Sequence, residues 1–417
     1  MKITFVSNYI NHHQLPFCNA MTALTEGQFA FVQTQPMEEE RVQMGWQAER
    51  RESYLHYYYE EEAFCRELIW ESDVVLFGGC EEECYITERL RAGKPIIRIS
   101  ERLYRTGQWK AVSPRGLRKK YKDHTQYRNA RVYLLCAGAY VPSDFHIVRA
   151  YPQKMFCWGY FPETKRYDVD KLLEQKGYPQ GEGTIPYLLW VGRFMELKHP
   201  ELALQTAAYL KSRGLTFHLD MIGGGAMEEE IKAQIAKLQL EDCVSLVGYL
   251  SPEEVRSRME RADIHLFTSD RREGWGAVVN EAMNSGCVPV VNHMPGSAPY
   301  LIRQGDNGYL YKDGSKEMLF QTVEKLVKDS ALRRKLGRNA YRTITEVWNA
   351  ENAAKRLMEL IENVVLKGDV VPAHPGSLGA LFPCAPAPVI SERSMWRRLQ
   401  SSAAQGEKKE KEEKENV

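Results

Sequence analysis

The sequence of 417 residues lacks an apolar run of the roughly 20 residues that a membrane-spanning helix requires. It also lacks an excess of either charge, since 56 Lys and Arg balance 55 Asp and Glu. That balance argues against a protein that binds nucleic acid through bulk electrostatics. The N-terminal residues MKITFVSNYI lead directly into a strand and do not form a secretory signal. We therefore expect a cytoplasmic protein, with at most peripheral contact with the inner face of a membrane.

Cysteines are few and show no pairing pattern. There are nine, an odd number, and they are scattered among apolar residues. Cys80-x3-Cys84 has no second Cys or His pair nearby at the spacing of a zinc site. We therefore predict buried thiols, with neither disulfides nor bound zinc. The sequence also lacks an internal repeat, which excludes solenoid and propeller architectures.

Apolar strand-like runs alternate with helical segments along most of the chain, the pattern of an α/β protein. The length exceeds that of one ordinary core, so two domains are expected. We predict two Rossmann-like, doubly wound parallel-sheet domains, followed by a disordered tail with a mixed-charge end. The predicted boundaries are 1–165 for the first domain, 166–185 for a linker, 186–345 for the second domain, 346–366 for a terminal helix crossing back to the first domain, and 367–417 for the tail.

The stretch from Asp263 to Asn292 has the pattern strand, loop, helix, glycine turn, strand. Two carboxylates frame its helical segment, Glu273 before it and Glu281 inside it. On one continuous helix these residues would lie roughly 12 Å apart along the axis. That distance is about the reach from a sugar ring across a diphosphate to a ribose. The free N–H groups of the helix between them would form a phosphate seat.

A second motif is Gly192-Arg193-x4-Lys198, which follows an apolar strand at Pro186–Val191. Two cations on such a loop can hold a diphosphate from two sides. The next strand ends in Gly223-Gly224-Gly225, which is similar to a dinucleotide-binding turn. The G-x-G-x-x-G pattern is not completed, because Glu228 occupies the position of the last glycine.

Together, Gly192-Arg193-x4-Lys198 and Glu273-x7-Glu281 resemble the signature of retaining glycosyltransferases with the GT-B fold, family 4 (glycosyl transferases group 1). The resemblance is specific from about Tyr187 to Asn363 and only architectural before that. It implies two domains facing a cleft, a nucleoside-diphosphate sugar as donor substrate, and no cofactor. It further implies catalytic roles for Glu273, Arg193 and Lys198, and donor contacts from Glu281, Gly192, Gly274, Trp275, Gly276, Gly248, Tyr249 and Gly223.

The first half of the chain would then select the acceptor, a glycan, a lipid-linked sugar or a small molecule. His12 and His13 lie in the loop after the first strand, where they suggest substrate binding or, equally, two solvated residues. Glu101 follows a strand at Pro95–Ile99 and could orient an acceptor hydroxyl or pair with a neighbouring arginine. The basic segment 114–128 could meet a lipid phosphate or an anionic membrane, although a solvated helix face is the preferred interpretation.

The predicted function is that of a retaining glycosyltransferase, of the kind used in polysaccharide biosynthesis. Two other classes compete with it: a non-catalytic nucleotide-sugar-binding module, and a dinucleotide-dependent oxidoreductase suggested by the glycine turn. We expect no metal, because the Asp168-Val169-Asp170 pair lies in the predicted linker and cations elsewhere can balance the diphosphate.

Overall fold

The computed structural model describes residues 1–37, 52–80, 82–371 and 381–401. The chain divides into two compact units. Unit 1 comprises Met1–Glu163, Trp348–Gly376 and Ala380–Glu392, and unit 2 comprises Thr164–Val347, Ser377–Gly379 and Arg393–Val417. Each unit contains a parallel sheet with helices, so the predicted fold class is confirmed.

Unit 1 is built on a seven-stranded parallel sheet in the order β3-β2-β1-β4-β5-β6-β7. Its central strands are continuous apolar runs, as expected for parallel strands that are covered on both faces. In register, Phe5 lies beside Phe31 on one side and Leu76 on the other. The strands are β1 (Ile3–Ser7), β2 (Phe29–Gln33), β3 (Leu55–Tyr57), β4 (Val74–Gly78), β5 (Ile96–Ser100), β6 (Val132–Ala137) and β7 (Met155–Trp158).

The helices of unit 1 lie between these strands along the chain. The first begins at Leu15 with a proline in its first turn, where the missing N–H costs nothing. The helices are α1 (Leu15–Leu24), α2 (Glu62–Glu71), α3 (Thr87–Arg91), α4 (Pro114–Asp123) and α5 (Val141–Ile147).

Unit 2 begins with α6 (Val169–Glu174) and an antiparallel hairpin, β8 (Tyr178–Gln180) and β9 (Gly183–Ile185). Residues 166–185, expected to be a linker, are therefore folded into this unit. Leu172 and Leu173 are buried, and the Lys176 ammonium donates to three carbonyls: those of Met259, Ala262 and Ser285.

The sheet of unit 2 has six parallel strands in the order β12-β11-β10-β13-β14-β15. The strands are β10 (Tyr187–Val191), β11 (His218–Ile222), β12 (Val244–Gly248), β13 (Ile264–Phe267), β14 (Val288–Asn292) and β15 (Tyr309–Tyr311). The helices are α7 (Pro200–Ser212), α8 (Glu228–Leu238), α9 (Pro252–Arg261), α10 (Val278–Asn284), α11 (Ala298–Leu301), α12 (Lys316–Lys328) and α13 (Ser330–Arg342).

Several segments that follow unit 2 in the sequence, up to Glu392, pack within unit 1. Helix α14 (Ala350–Leu360) lies against α1. Residues 367–417 were expected to form a disordered tail, but part of this stretch is ordered. Ala385 and Cys384 exchange backbone hydrogen bonds with Cys157 of β7, and Leu381 is buried. The apolar run from residue 381 therefore adds an antiparallel partner to the edge strand β7, and residues 392–401 are helical.

In both sheets the strand order reverses direction between two adjacent central strands, β1 and β4 in unit 1 and β10 and β13 in unit 2. Loops leaving the carboxyl ends of such strands diverge and open a crevice, the usual ligand position in doubly wound folds. In unit 2, the candidate residues Arg193, Lys198 and Glu273 lie on these loops.

Candidate active site

The central feature of the site in unit 2 is an ion pair between Lys198 and Glu273. The Lys198 ammonium lies 2.5 Å from Glu273 Oε2, and each side chain is only about 15% exposed. Lys198 is in the loop after β10, and Glu273 is in the loop after β13, the neighbouring strand. The structure thus brings together two of the three predicted catalytic residues.

Hydrogen bonds to the sheet hold the loop that carries Lys198. The buried Trp190 of β10 donates its indole N–H to Thr268 Oγ1 at 2.8 Å. The Thr268 hydroxyl in turn donates to the Lys198 carbonyl at 2.6 Å. Because both partners leave adjacent strands, these bonds hold the backbone of Lys198 in one place before any ligand arrives.

His199 strengthens the same connection. Its backbone is left-handed, with φ 48° and ψ 54°, which is uncommon for a residue other than glycine. One ring nitrogen contacts Glu201 at 2.9 Å and the other contacts Asp270 at 3.1 Å. These hydrogen bonds, with that to Glu201 the larger effect, raise the pKa of His199 above its ordinary value. When protonated, His199 adds positive charge beside Lys198.

The third predicted catalytic residue, Arg193, is exposed at the start of the same loop. No hydrogen bond or ion pair joins its side chain to another residue in the parts of the chain that the structure describes. Its guanidinium therefore remains available for an anionic ligand, in contrast to the paired Lys198.

Glycines allow the loops after β10, β11 and β12 to lie in contact. Gly223 has φ 124°, and a Cβ at this position would lie 2.1 Å from the Gly192 carbonyl oxygen. The Gly223 N–H donates to the Gly248 carbonyl at 2.8 Å. Tyr249, which follows, is 70% exposed, and its ring lies against Gly224. An open aromatic face beside free backbone suits a planar base.

The loop between Glu273 and helix α10 is longer than predicted. The helix was expected to begin directly after Glu273, but α10 begins only at Val278, so the spacing of roughly 12 Å, which assumed a helical rise throughout, does not apply. Gly276 explains the break, because its φ is 88° and a Cβ there would lie 2.6 Å from the Phe267 ring. The buried Trp275 is held by its indole N–H, which donates to Asn280 Oδ1 at 2.8 Å.

Backbone bonds hold the remaining residues of this loop. The Gly274 carbonyl accepts from the Gly296 N–H at 2.8 Å. Glu281, in the first turn of α10, is half-buried. Burial raises the pKa of its carboxyl group, and Arg256 partly offsets that effect. A carboxylate kept short of water in this way is poised to accept hydrogen bonds from ligand hydroxyls.

The predicted acceptor-side residues are in unit 1. Burial lowers the pKa of His12, and burial with the neighbouring ring lowers that of His13 to about 3. Both imidazoles are therefore neutral near pH 7. Their ring centroids are 3.8 Å apart, in the loop after β1.

Glu101, in the loop after β5, accepts from the Tyr160 hydroxyl at 2.5 Å and pairs with Arg105. The neighbouring arginine that pairs with Glu101 is thus Arg105, not Arg98 or Arg102. Arg98 instead pairs with Glu83 at 2.6 Å, and Arg102 with Asp144 and Glu392.

Metal sites and membrane-spanning helices are both absent from the residues that the structure describes. Residues 1–37, 52–80, 82–371 and 381–401 contain no group of three or more His, Cys, Asp and Glu placed to hold a metal ion. Within these same ranges, no helix combines the length and apolar character needed to cross a bilayer. Asp168 caps α6 by accepting a hydrogen bond from the Lys171 N–H, and Asp170 pairs with Arg338.

Sequence reasoning missed the His199–Asp270 contact. The signal was present, because a histidine directly follows the loop lysine and an aspartate follows β13. Their connection depends on the strand order β10-β13, which a linear sequence does not display. The same is true of His265, which is fully buried under this site without a hydrogen-bond partner among the described residues.

Comparisons with known proteins identify a family match within unit 2. Residues 175–343 match the family described as Glycosyl transferases group 1. The chain is 31% identical over 182 residues to the amylovoran biosynthesis glycosyltransferase AmsK of Erwinia amylovora, covering 42% of this chain and 44% of that protein. It is 27% identical over 202 residues to the N-acetyl-alpha-D-glucosaminyl L-malate synthase of Bacillus anthracis, covering 48% and 51%. The matches thus span about half the length of these relatives.

Solved structures resemble the chain over a longer range. The Anabaena protein Alr3699/HepE, solved in complex with UDP, has a TM-score of 0.61 at 14% identity, covering 87% of this chain and 100% of that one. Sucrose-phosphate synthase from Thermosynechococcus elongatus has a TM-score of 0.60 at 15% identity, with coverage of 87% and 98%. The chain therefore has the GT-B fold, and its residues 175–343 carry the similarity to the glycosyl transferases group 1 family.

Proposed function

We propose that this protein is a retaining glycosyltransferase that moves a sugar from a nucleoside-diphosphate donor to an acceptor hydroxyl. The observation that carries the proposal is the Lys198–Glu273 pair, which lies on loops opened by glycines. Arg193 is in the same loop as Lys198, and its side chain has no partner among the described residues. At this edge of a doubly wound sheet, the two cations Arg193 and Lys198 suit a diphosphate, and the partly desolvated carboxylate of Glu273 suits a sugar.

The donor we propose is a uridine-diphosphate hexose. Support comes from Alr3699/HepE, which was solved with UDP and with UDP-glucose. Relatives include the amylovoran enzyme and a poly(glycerol-phosphate) alpha-glucosyltransferase of Bacillus subtilis. These names favour a hexosyl donor and a role in assembling a polysaccharide.

In the proposed reaction, the bond between the anomeric carbon and the diphosphate breaks, and a bond to the acceptor oxygen forms on the same face of the sugar. The acceptor proton passes to the departing phosphate oxygen. Arg193 and Lys198 balance the negative charge that develops on the diphosphate. For Lys198 to do this, it must share its ammonium between Glu273 and the phosphate, which frees Glu273 oxygens for the sugar hydroxyls.

We place the acceptor on unit 1, at the carboxyl edge of β1 and β5. His12 and His13 are neutral near pH 7, so either can accept a hydrogen bond from an acceptor hydroxyl. In the double variant His12→Ala, His13→Ala, donor hydrolysis should persist while transfer to an acceptor is lost. Normal transfer by that variant would remove both histidines from the proposal.

The function is tested with a panel of nucleoside-diphosphate sugars, by following slow donor hydrolysis and then transfer to candidate acceptors. Arg193→Ala should abolish turnover, whereas Arg213→Ala, an arginine exposed elsewhere on unit 2, should not. Tight donor binding with no hydrolysis and no transfer would instead identify a binding module. Retention is read from the anomeric configuration of the product by NMR.

A further inference from the structure

The connection from β5 to β6 in unit 1 exposes an unusual set of side chains. Trp109 is 71% exposed and Val112 is 78% exposed. Tyr121 and Leu117 follow, at 60% and 41%. Single exposed apolar residues are ordinary, but four within thirteen positions form a patch of the kind that marks an interaction site.

The local geometry places these residues in two adjacent pairs. Residues Gln108–Val112 form a 3-10 turn, in which positions three apart lie on one side, so Trp109 and Val112 point the same way. In α4, Leu117 and Tyr121 are four apart and share a face. Of the residues of α4, only Asp123 is buried. This helix therefore does not bury its apolar side chains in the core of unit 1.

Cations lie between the apolar residues. Lys110, Arg115, Arg118 and Lys122 are all exposed. Neither hydrogen bonds nor ion pairs link the side chains of Arg115, Arg118 and Lys122 to any other described residue. We call the exposed residues Trp109, Lys110, Val112, Arg115, Leu117, Arg118, Tyr121 and Lys122 the basic–aromatic surface.

Cations also act on His124, the residue that follows α4. Burial, the largest cause, and the charges of Arg98, Lys120 and Lys119 together lower the pKa of His124 to about 2. Lys119 is paired with Asp123 at 2.9 Å, so it is not among the free cations. The surface thus offers unneutralised positive charge beside apolar side chains that have no core partner.

We propose that the basic–aromatic surface docks this protein on an anionic lipid bilayer. Lysines and arginines would meet the phosphate headgroups, while Trp109, Val112, Leu117 and Tyr121 enter the boundary between headgroups and acyl chains. A nucleic acid would use the cations but leave Val112 and Leu117 in water. The combination of free charge and exposed aliphatic groups therefore favours a bilayer.

Docking here would also have a consequence for the acceptor. The connection starts at Glu101, at the carboxyl edge of the sheet of unit 1, where we place the acceptor. A bilayer held by residues 109–122 brings the hydroxyl of a lipid-linked sugar towards that edge. This last step rests on the proposed transfer function, whereas membrane docking itself does not.

The electrostatic half is tested by sedimenting the full chain with vesicles of phosphatidylcholine alone or mixed in equal parts with phosphatidylglycerol. We expect binding only to the anionic vesicles, weakened by salt. The triple variant Arg115→Glu, Arg118→Glu, Lys122→Glu should lower the partition coefficient by at least about tenfold. The matched control is Lys237→Glu, Lys312→Glu, Lys316→Glu, which changes the charge equally on exposed positions of unit 2 and should bind like the wild type.

The apolar half is tested by insertion. Brominated phosphatidylcholine in the anionic vesicles should quench tryptophan fluorescence, and Trp109→Phe should remove that quenching while leaving sedimentation nearly unchanged. The double variant Trp109→Ser, Val112→Ser should lower the partition coefficient severalfold.

Three results would overturn the proposal. They are absence of binding to anionic vesicles at low salt, equal loss of binding in the control triple variant, and tighter binding to duplex RNA or DNA than to vesicles with no quenching by bromolipid. Donor hydrolysis is measured on the same preparations in solution. Hydrolysis without vesicle binding would refute docking alone, and vesicle binding without hydrolysis of any donor would refute the enzymatic function alone.

Discussion

The Lys198 ammonium and the Glu273 carboxylate lie 2.5 Å apart, and they join the loops that follow the adjacent strands β10 and β13. Two further hydrogen bonds hold the backbone around this pair: Thr268 donates to the Lys198 carbonyl, and Asp270 contacts the His199 ring. Lys198 is preorganised for a phosphate, but it is not fully free to bind one because Glu273 neutralises its charge. Ligand binding and rearrangement of this pair are therefore coupled.

The first prediction concerns Glu273→Gln. We expect kcat to fall on the order of a hundredfold, because a charged contact to the donor sugar is lost. Affinity for the free nucleoside diphosphate should rise, since Lys198 is released and a negative charge is removed. Steady-state kinetics and calorimetry measure the two effects. The control is Glu196→Gln, which changes an 83% exposed side chain in the turn that carries Lys198 and should alter neither kcat nor affinity. Unchanged turnover in Glu273→Gln would contradict the assignment.

Glu281→Gln should affect stability and binding in opposite directions. Burial raises the pKa of the Glu281 carboxyl, so the folded state binds its proton more tightly than the unfolded state. The stability this group contributes is therefore present at low pH and lost as pH rises through its raised pKa. Near pH 7 the neutral amide should raise the melting temperature. Donor affinity should fall, by about 1.5–3 kcal/mol if a charge-assisted hydrogen bond to a ribose is lost. A variant that binds donor normally would rule out that contact.

His265 provides a test in acid. It is fully buried, neither ring nitrogen has a partner among the described residues, and burial with the charge of Lys198 lowers its pKa to about 3. The unfolded chain binds a proton at this histidine below its ordinary pKa of about 6.5, but the folded chain does not. Stability is thus lost as pH falls, by about 2 kcal/mol near pH 5 from this group. His265→Leu should flatten that loss in urea titrations at pH 7 and 5. An unchanged pH dependence would show that another group controls it.

Much of this architecture could be predicted from sequence because buried parallel strands are continuous apolar runs. Helix α7 (Pro200–Ser212) also carries a local signal in the sequence, since a proline marks its first turn. The segment after Glu273 was mispredicted because a helical pattern outweighed the two glycines within it. Gly276 adopts φ 88°, which ends any helix there, and the need for it arises from the Phe267 ring, a contact that is distant in sequence.

The pairing of residues 384–387 with β7 could not be predicted for a related reason. Strand β7 is four residues long, and its partner lies more than 220 positions later in a proline- and alanine-rich stretch. Composition alone indicated disorder. Pairing at a sheet edge is a non-local contact, and its stabilising burial of Leu381 and Ala385 appears only in the folded chain.

Truncation tests whether the C-terminal segment is disordered, as its composition indicated, or stabilises unit 1 by pairing with β7. Removal of everything after residue 371 deletes the backbone bonds to Cys157 and Met155 and the buried Leu381. We expect the melting temperature to fall by about 5–10 °C, since several kcal/mol of contacts are lost from one unit. Truncation after Ser401 keeps these contacts and is the matched control. Equal melting temperatures for the two truncations would show that residues 372–401 add nothing to stability.

The last prediction is that turnover does not need a divalent metal. Many sugar transferases neutralise the donor diphosphate with a cation held by an Asp-x-Asp pair, and this chain contains one at Asp168 and Asp170. Both carboxylates already have structural partners, the Lys171 N–H for one and Arg338 for the other. Arg193 and Lys198 lie on the loop where the diphosphate is proposed to bind, so they can supply the positive charge.

We therefore expect full activity in excess chelator, and little change in the double variant Asp168→Asn, Asp170→Asn. Lys198→Met in chelator should lose activity by on the order of a hundredfold, because no metal replaces its charge. If chelator abolished turnover and manganese or magnesium restored it, the electrostatic role given to Lys198 and Arg193 would be insufficient. The two aspartates of α6 would then be the first residues to test as metal ligands.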